Sequence, residues 1–174
     1  NKGEKNEKRG FAFCFFLLFT LMSGCDLIKD AADIEFTILY SHVYTVDTDL
    51  TTFPYDIDLN TNSDYQTYKG NIRDIEIEYL RYSITSNTGD GGKADFYANS
   101  FGGSFATATK VAETISFAAG ELRGATDVVW LNKDFIETLL TSGKLSVWAV
   151  AEGANVHLTI PVEIKVKVTA NPFE

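Results

Sequence analysis

The sequence predicts an all-β chain, an antiparallel β-sandwich Ig-like in style, on three observations. Apolar residues recur at every second position over long stretches, the mark of half-buried strands. Glycine- and asparagine-rich turns, and not helix-length amphipathic segments, separate those stretches. Only one segment carries a helical stripe with start and stop signals at its ends. The pattern gives eight or nine strands with one or two short helices, and a partly closed β-barrel is the alternative.

The first strand starts at Ile34. From there Ile34, Phe36, Ile38, Tyr40, His42, Tyr44 and Val46 fall on one face of an extended chain. FPYDIDL repeats the pattern, with Tyr55, Ile57 and Leu59 on one side and Asp56 and Asp58 on the other. A weaker helical turn, SDYQTYK, runs from Ser63 to Gly70. In DIEIEYLRYSI the apolar set Ile75, Ile77, Tyr79 gives way to Leu80, Tyr82, Ile84. That change of phase calls for a β-bulge or a strand that switches sheets.

SNTGDGGK supplies turn chemistry through Gly89, Asp90, Gly91 and Gly92, and ADFYANSF and SFATATKV follow on either side of Gly102-Gly103. Asn132 suits the N-cap of KDFIETLLTS, in which Phe135, Ile136, Leu139 and Leu140 form a stripe and Gly143 fits a left-handed end. The clearest strand comes last, with Val156, Leu158, Ile160, Val162, Ile164, Val166 and Val168 in phase. Pro161 within it has no N–H for a ladder and argues for an edge or a bulge. KLSVWAVA and the turn EGAN are its expected hairpin partner.

Ahead of the strands, Phe11 to Asp26 reads FAFCFFLLFTLMSGCD. The apolar run from Phe11 to Met22 falls short of the roughly 20 residues a membrane-crossing helix needs. Lys2, Lys5, Lys8 and Arg9 precede it, against Glu4 and Glu7, giving the order basic, apolar, small, cysteine of a secretory signal. Leu21-Met22-Ser23-Gly24-Cys25 resembles the lipobox of bacterial lipoproteins, with Met22 where leucine is commoner. The resemblance implies that Cys25 receives a diacylglyceryl group, that residues 1–24 are removed as a signal peptide, and that the new amino terminus is acylated. Residues 25–33 are then the lipidated cysteine and a short tether, and 34–174 the β-sandwich domain. The expected address is the bacterial cell envelope, exported across the inner membrane and held to a membrane through Cys25.

The other cysteine, Cys14, lies inside the apolar run, so residues 26–174 offer no thiol for a disulfide, a zinc site or a nucleophile. The chain carries 15 Lys and Arg against 24 Asp and Glu, a net charge of −9. Without residues 1–24, which hold four basic and two acidic side chains, the remaining 150 residues have 11 against 22, a net charge of −11. Such a balance disfavours binding to the nucleic-acid backbone, whose affinity comes largely from Lys and Arg neutralising phosphates, and disfavours anionic head groups, so no nucleic-acid partner is expected. It suits soluble display, cationic partners or calcium.

The usual catalytic signatures, GxSxG, HExxH, SxxK, GxxxxGK[ST] and GxGxxG after a strand, do not occur. His42 shares the apolar face of its strand and reads as a core or rim residue; His157 reads as solvent-facing. Asp56, Asp58, Asn60 and Asp64 cluster as candidate calcium ligands, with Asp47 and Asp49 nearby. The string Asp58-x-Asn60-x-Asn62-x-Asp64 begins like an EF-hand loop, but Ser63 replaces the required glycine and Lys69 the closing glutamate. Trp130 and Trp148 read as core. Tyr65 and Tyr68, beside the asparagine-rich loop, are the candidate exposed rings that could stack a sugar while the acids accept its hydroxyls. The reading is a non-catalytic, membrane-anchored envelope lipoprotein presenting a binding or structural module to an envelope protein or glycan partner, with no resident cofactor. The alternative is an envelope enzyme or glycan-processing accessory protein with a carboxylate site.

Overall fold

The computed structural model describes residues 33–48 and 54–173; the expected signal segment 1–24, Cys25, the expected tether up to residue 32 and Asp49 lie outside them. In chain order the strands are β1 (Ile34–Asp47), β2 (Tyr55–Asp58), β3 (Ile72–Ile84), β4 (Ser86–Asn87), β5 (Lys93–Ser100), β6 (Thr109–Glu113), β7 (Arg123–Asp127), β8 (Val129–Trp130), β9 (Lys144–Glu152) and β10 (His157–Ala170). Two helices interrupt them, α1 (Ser63–Tyr68) and α2 (Lys133–Leu140). One sheet has the order β1-β10-β3-β7, with β4 also on β10; the other runs β2-β9-β5-β6-β8, and every pairing is antiparallel. The expected sandwich is therefore present, with ten strands among the described residues instead of eight or nine. The extra ones arise because β4 and β8 have two residues each, too few to show a period.

Alternation builds the core. Ile38, Tyr44 and Val46 from β1, Leu158 through Val168 at even positions of β10, and Ile75, Ile77, Leu80, Tyr82 and Ile84 from β3 pack inward. They meet Ile57, Ala94, Phe96, Ala98, Val111, Leu145, Val147 and Ala149 of the facing sheet. The phase change in β3 is a β-bulge: Lys165 opposes Tyr79 while Val166 opposes Ile77, so Glu78 is the extra residue. That one insertion lets both Ile77 and Leu80 reach the core. Tyr44 donates its hydroxyl hydrogen to the Val147 carbonyl at 3.3 Å, tying the two sheets together inside the core.

One expectation is corrected and another narrowed. β9 and β10 do not form a hairpin, because β9 pairs with β2 and β5 while β10 pairs with β1 and β3 in the opposite sheet. Their connection crosses the sandwich. Leu145 through Ala149 are all buried, so β9 is covered on both faces, which its continuous apolar run already allowed. Pro161 marks no edge, because β10 is a central strand, with Val43 opposite the proline on the β1 side. The expected bulge-type irregularity is there on the other side: between the Val162↔Tyr82 and Thr159↔Ser86 pairings three residues, 83 to 85, oppose two, Ile160 and Pro161. Its missing N–H faces that break, where no donor is needed.

α2 lays Ile136 and Leu140 into the core. Asn132 occupies its N-cap position without a side-chain cap bond, and Gly143 takes φ +81° at its far end as expected. Glu137 of this helix accepts the Ile77 N–H at 2.8 Å, beyond the end of β7, whose pairing with β3 covers only Arg81 to Ile84. Arg123 staples the loop before β7. Its guanidinium donates to the Tyr82 hydroxyl at 2.9 Å, to the Ile115 and Ser116 carbonyls at 3.1 and 3.0 Å, and to Glu121.

Candidate functional site

The acidic run Asp58 to Asp64 turns out to hold local structure together. Asp58 Oδ1 accepts the Asn60 N–H at 2.9 Å and caps a single 3-10 turn, while its Oδ2 lies 2.7 Å from the Lys144 ammonium. Asn60 Oδ1 accepts from Lys69 at 2.6 Å, and Asn62 Oδ1 accepts the Tyr65 N–H at 2.9 Å as the cap of α1. Burial alone would raise the Asp58 pKa; the hydrogen bonds from Lys144 and Asn60 and the Lys144 charge outweigh it and hold the carboxyl below its usual range. Two ammonium groups thus sit on the oxygens that a calcium ion would need. Asp64 is exposed in the first turn of α1, and Asp56 accepts the Ser146 hydroxyl at 2.6 Å on the neighbouring strand. The spacing read as a calcium-type string is that of successive helix caps.

The expectation that Tyr65 is an exposed ring is wrong: it is 2% exposed. It sits at the buried position of α1, under Gly143, where a Cβ on that glycine would come within 2.8 Å of its hydroxyl. Tyr68 is half-buried, its ring 6.1 Å from that of Phe36. His42 is a rim residue as expected, stacked on Tyr55 at 4.2 Å and edge-on to Tyr44 at 4.6 Å, with burial lowering its pKa so that it is neutral at neutral pH. His157 is not free in solvent: Nδ1 lies 2.7 Å from Asp47 and Nε2 3.0 Å from Asn155. The void lined by Tyr40, His42, Tyr44, Tyr55 and Phe96 measures about 20 Å³, room for one water and not for a ligand.

Exposed rings lie elsewhere, on the outer face of the β2-β9-β5 sheet. Phe101 and Phe105, 51% and 42% exposed, belong to the loop after β5. Phe105 sits edge-on to Tyr97 at 5.2 Å and tilted over Trp148 at 6.0 Å, so Trp148 is buried beneath it on the outside of the sheet and not between the sheets. Trp130 is only half-buried against the core. The loop is held by a network of its own. Asn99 donates to the Ser104 carbonyl and the Thr107 hydroxyl, both at 2.9 Å; the Gly102 N–H reaches the Ser146 hydroxyl at 3.2 Å; and Ser104 caps a 3-10 turn over Phe105–Thr107. Gly102 has φ +72°, the left-handed conformation that turns the chain here.

The register places acids beside these rings. Asp56 opposes Ser146, which opposes Asn99; Asp58 opposes Lys144, whose ammonium lies 5.1 Å from the Phe101 ring centre. A short strip therefore carries two accessible phenyl rings, the exposed carboxylate of Asp56 and a lysine paired with Asp58. Sequence reading missed the rings because FGGSF looks like a turn, and only the sheet order shows that it folds back over β9. The one available signal was two phenylalanines flanking a glycine pair next to hydroxyl residues.

Among the described residues, the acids close enough to share an ion are Asp95, Glu113 and Glu152, with oxygens within 4.8 Å of one another. Lysines already occupy this cluster. Lys110 lies 2.7 Å from Asp95 and 3.0 Å from Glu113, and Lys93 lies 2.8 Å from Glu113. Burial would depress the Lys110 pKa, but its hydrogen bonds to Asp95 and Glu113 push it well above its ordinary value. The outer face of the other sheet is similarly laced, by Lys165–Glu78 at 2.7 Å, Lys167–Glu76 at 3.1 Å and Arg81–Asp127 at 2.7 Å. No described helix is long and apolar enough to cross a membrane.

No protein-family model matches the sequence, nor does any curated protein. Solved structures give distant likenesses. A chain of Desmodium yellow mottle tymovirus is 9% identical, with 79% of this chain and 89% of that one covered, at TM-score 0.29. One of infectious bursal disease virus, Gt strain, is 12% identical, covering 80% and 33%, at TM-score 0.36. One of turnip yellow mosaic virus is 12% identical, covering 79% and 82%, at TM-score 0.27.

Proposed function

We propose that this protein is a non-catalytic envelope lipoprotein, tethered through Cys25, whose sandwich presents the Phe101–Phe105 strip to a partner. The tether rests on the order of residues from Lys2 to Cys25. The binding role rests on one observation: two large rings stay exposed on a loop that its own hydrogen bonds hold rigid, beside the exposed Asp56 carboxylate. Part of the Phe105 ring covers Trp148, but a loop that merely connected β5 to β6 would gain nothing from its exposed remainder or from Phe101, apolar surface whose exposure costs about the transfer energy that burial would return. Rings that stack on the C–H face of a sugar, next to a carboxylate that accepts hydroxyl hydrogens, favour a glycan as the partner. The ion-paired state of Asp58, Asp95 and Glu113 supports a display role over acid–base chemistry, which needs a carboxyl group free to exchange its proton.

The test is a glycan-array screen with the full chain, followed by titration of any hit against Phe105→Ala and Asp56→Asn. Both variants lie on the surface and should melt within a few degrees of the parent while losing at least tenfold in affinity. Binding that survives both changes would remove this strip as the site. Turnover of a hit glycan, abolished by Asp56→Asn, would replace the non-catalytic reading with the enzymatic one.

A further inference from the structure

The four sheet edges are unequal. β2, β7 and β8 have four, five and two residues, the short form in which sheets usually leave their edges, but β1 has fourteen. It pairs with β10 from Ile34 to Asp47 without a register shift. Its other side is open among the described residues. The Thr85 N–H donates to the Thr159 carbonyl, so odd-numbered residues of β10 turn their backbone groups away from β1. Thr159 opposes Thr45, and the alternation of an antiparallel ladder then points the N–H and C=O of Glu35, Thr37, Leu39, Ser41, Val43 and Thr45 outward, along the open edge.

Among the described residues none of the usual protections is present at this edge. Between Phe36 and Val46 there is no lysine, arginine, acid or proline, in a chain of net charge −9 whose other sheet positions are heavily charged. The same odd positions carry their side chains on the outer face, where they read Thr37, Leu39, Ser41, Val43, Thr45. That order is a palindrome in chemical type about Ser41. Leu39 and Val43 are its exposed apolar members, at 55% and 57%.

We propose that β1 pairs antiparallel with β1 of a second copy about a two-fold axis at Ser41. A two-fold contact must be self-complementary, and this register meets that condition. Leu39 faces Val43 of the partner subunit, Thr37 faces Thr45 of the partner subunit, and Ser41 faces its own counterpart. On the inner side Tyr40 faces His42 of the partner subunit, and Ile38 faces Tyr44 of the partner subunit. Glu35 meets Asp47 of the partner subunit at each end, but Lys167 lies 3.9 Å from Glu35 and His157 2.7 Å from Asp47 within each copy. Moving the axis to Tyr40 would set Leu39 against serine and Val43 against threonine, which loses the apolar pairs. Edge pairing buries little beyond the strand itself, at the low end of specific interfaces, about 1,200 Å² or less. Association is therefore weak and reversible. The like net charge of the two copies makes it tighten as salt rises.

Sedimentation velocity of the full chain in detergent, over a concentration series, should show a monomer–dimer equilibrium. Leu39→Lys combined with Val43→Lys should weaken it at least tenfold while leaving the melting temperature within a few degrees. Ser41→Pro, which removes the central edge donor, should do the same. For register, Ser41→Cys in a Cys14→Ser, Cys25→Ser background should oxidise to a covalent dimer, since opposed residues of a hydrogen-bonded pair have Cα atoms about 5.5 Å apart, within disulfide reach. Thr37→Cys in that background should not. A monomer at every concentration would overturn the proposal. So would association that Leu39→Lys/Val43→Lys leaves unchanged, which would belong to another surface such as the apolar run Phe11–Met22. Cross-linking at Thr37 equal to that at Ser41 would overturn the two-fold at Ser41.

Discussion

Replacing Glu137 with alanine should cost the sandwich about 2 kcal/mol, although the residue lies on a partly exposed helix face. Its Oε1 accepts the Ile77 N–H at 2.8 Å, and Ile77 itself has no exposed surface. β7 stops pairing at Arg81, so Ile77 has no strand on that side to take its donor. A buried N–H stripped of a charged acceptor costs about 1.5–3 kcal/mol. The Glu137–Lys133 pair at 3.3 Å adds about 0.3–0.5 kcal/mol, which the better helix propensity of alanine roughly cancels. For a chain of this size, 2 kcal/mol corresponds to a fall of about 4–8 °C in Tm. Glu137→Gln keeps an acceptor and should lose about half as much. Urea unfolding of both variants, with amide exchange at Ile77, is the assay. A Glu137→Ala protein within 0.5 kcal/mol of the parent, with Ile77 exchange unchanged, would refute the claim that α2 completes the β3 ladder.

Three further outcomes follow from the same geometry. Gly143→Ala should cost about 1–2 kcal/mol in thermal melts, because alanine is strained at φ +81° and its Cβ would press within 2.8 Å of the Tyr65 hydroxyl. Tyr82→Phe should cost about 1–2 kcal/mol and loosen the loop before β7 in proteolysis, since the lost hydroxyl accepts the Ile115 N–H at 3.0 Å and anchors Arg123. Acid should destabilise the fold through Glu76, Glu113 and Glu121. Their pKa values are lowered by hydrogen bonds from Lys167, from Lys93 with Lys110, and from the Ala118 N–H with Arg123. Folded values below unfolded ones mean that this stability is complete above about pH 4.5 and is lost as the pH falls through the folded values. Melting temperatures that stay flat from pH 5 down to about pH 3 would contradict the pairing.

Strand identity was legible wherever one face is buried and the other wet. β1, β3 and β10 show their periods, and the change of phase after Ile77 announced the bulge at Glu78. Sheet membership was not legible. A tight EGAN turn between two apolar runs reads as a hairpin, and nothing local reveals that the chain there crosses from one sheet to the other. Pro161 pointed to an irregularity, and one extra residue does lie opposite it on the β3–β4 side; it misled only about the edge, since a proline is tolerated in a central strand where the neighbouring ladder breaks. The acidic string from Asp58 to Asp64 carried the right residues for oxygen ligation. Whether they bind an ion or cap two turns depends on Lys69 and Lys144, the second contributed by β9 from far along the chain. Tyr65 went wrong on neighbourhood, because a polar loop around a ring says little about what lies beneath it. Phe101 and Phe105 could be recognised as exposed only once Asn99 and Ser146 were seen to pin their loop.

The tether proposed at Cys25 would decide whether this acidic sandwich works at a membrane surface, and the mass of the mature amino-terminal peptide measures it directly. The account predicts a peptide beginning at Cys25 that carries a diacylglyceryl thioether, from a protein that sediments with membranes and is released or left uncleaved by Cys25→Ser. An unmodified peptide running through Gly24 and Cys25, from a protein that remains in the soluble fraction, would contradict it.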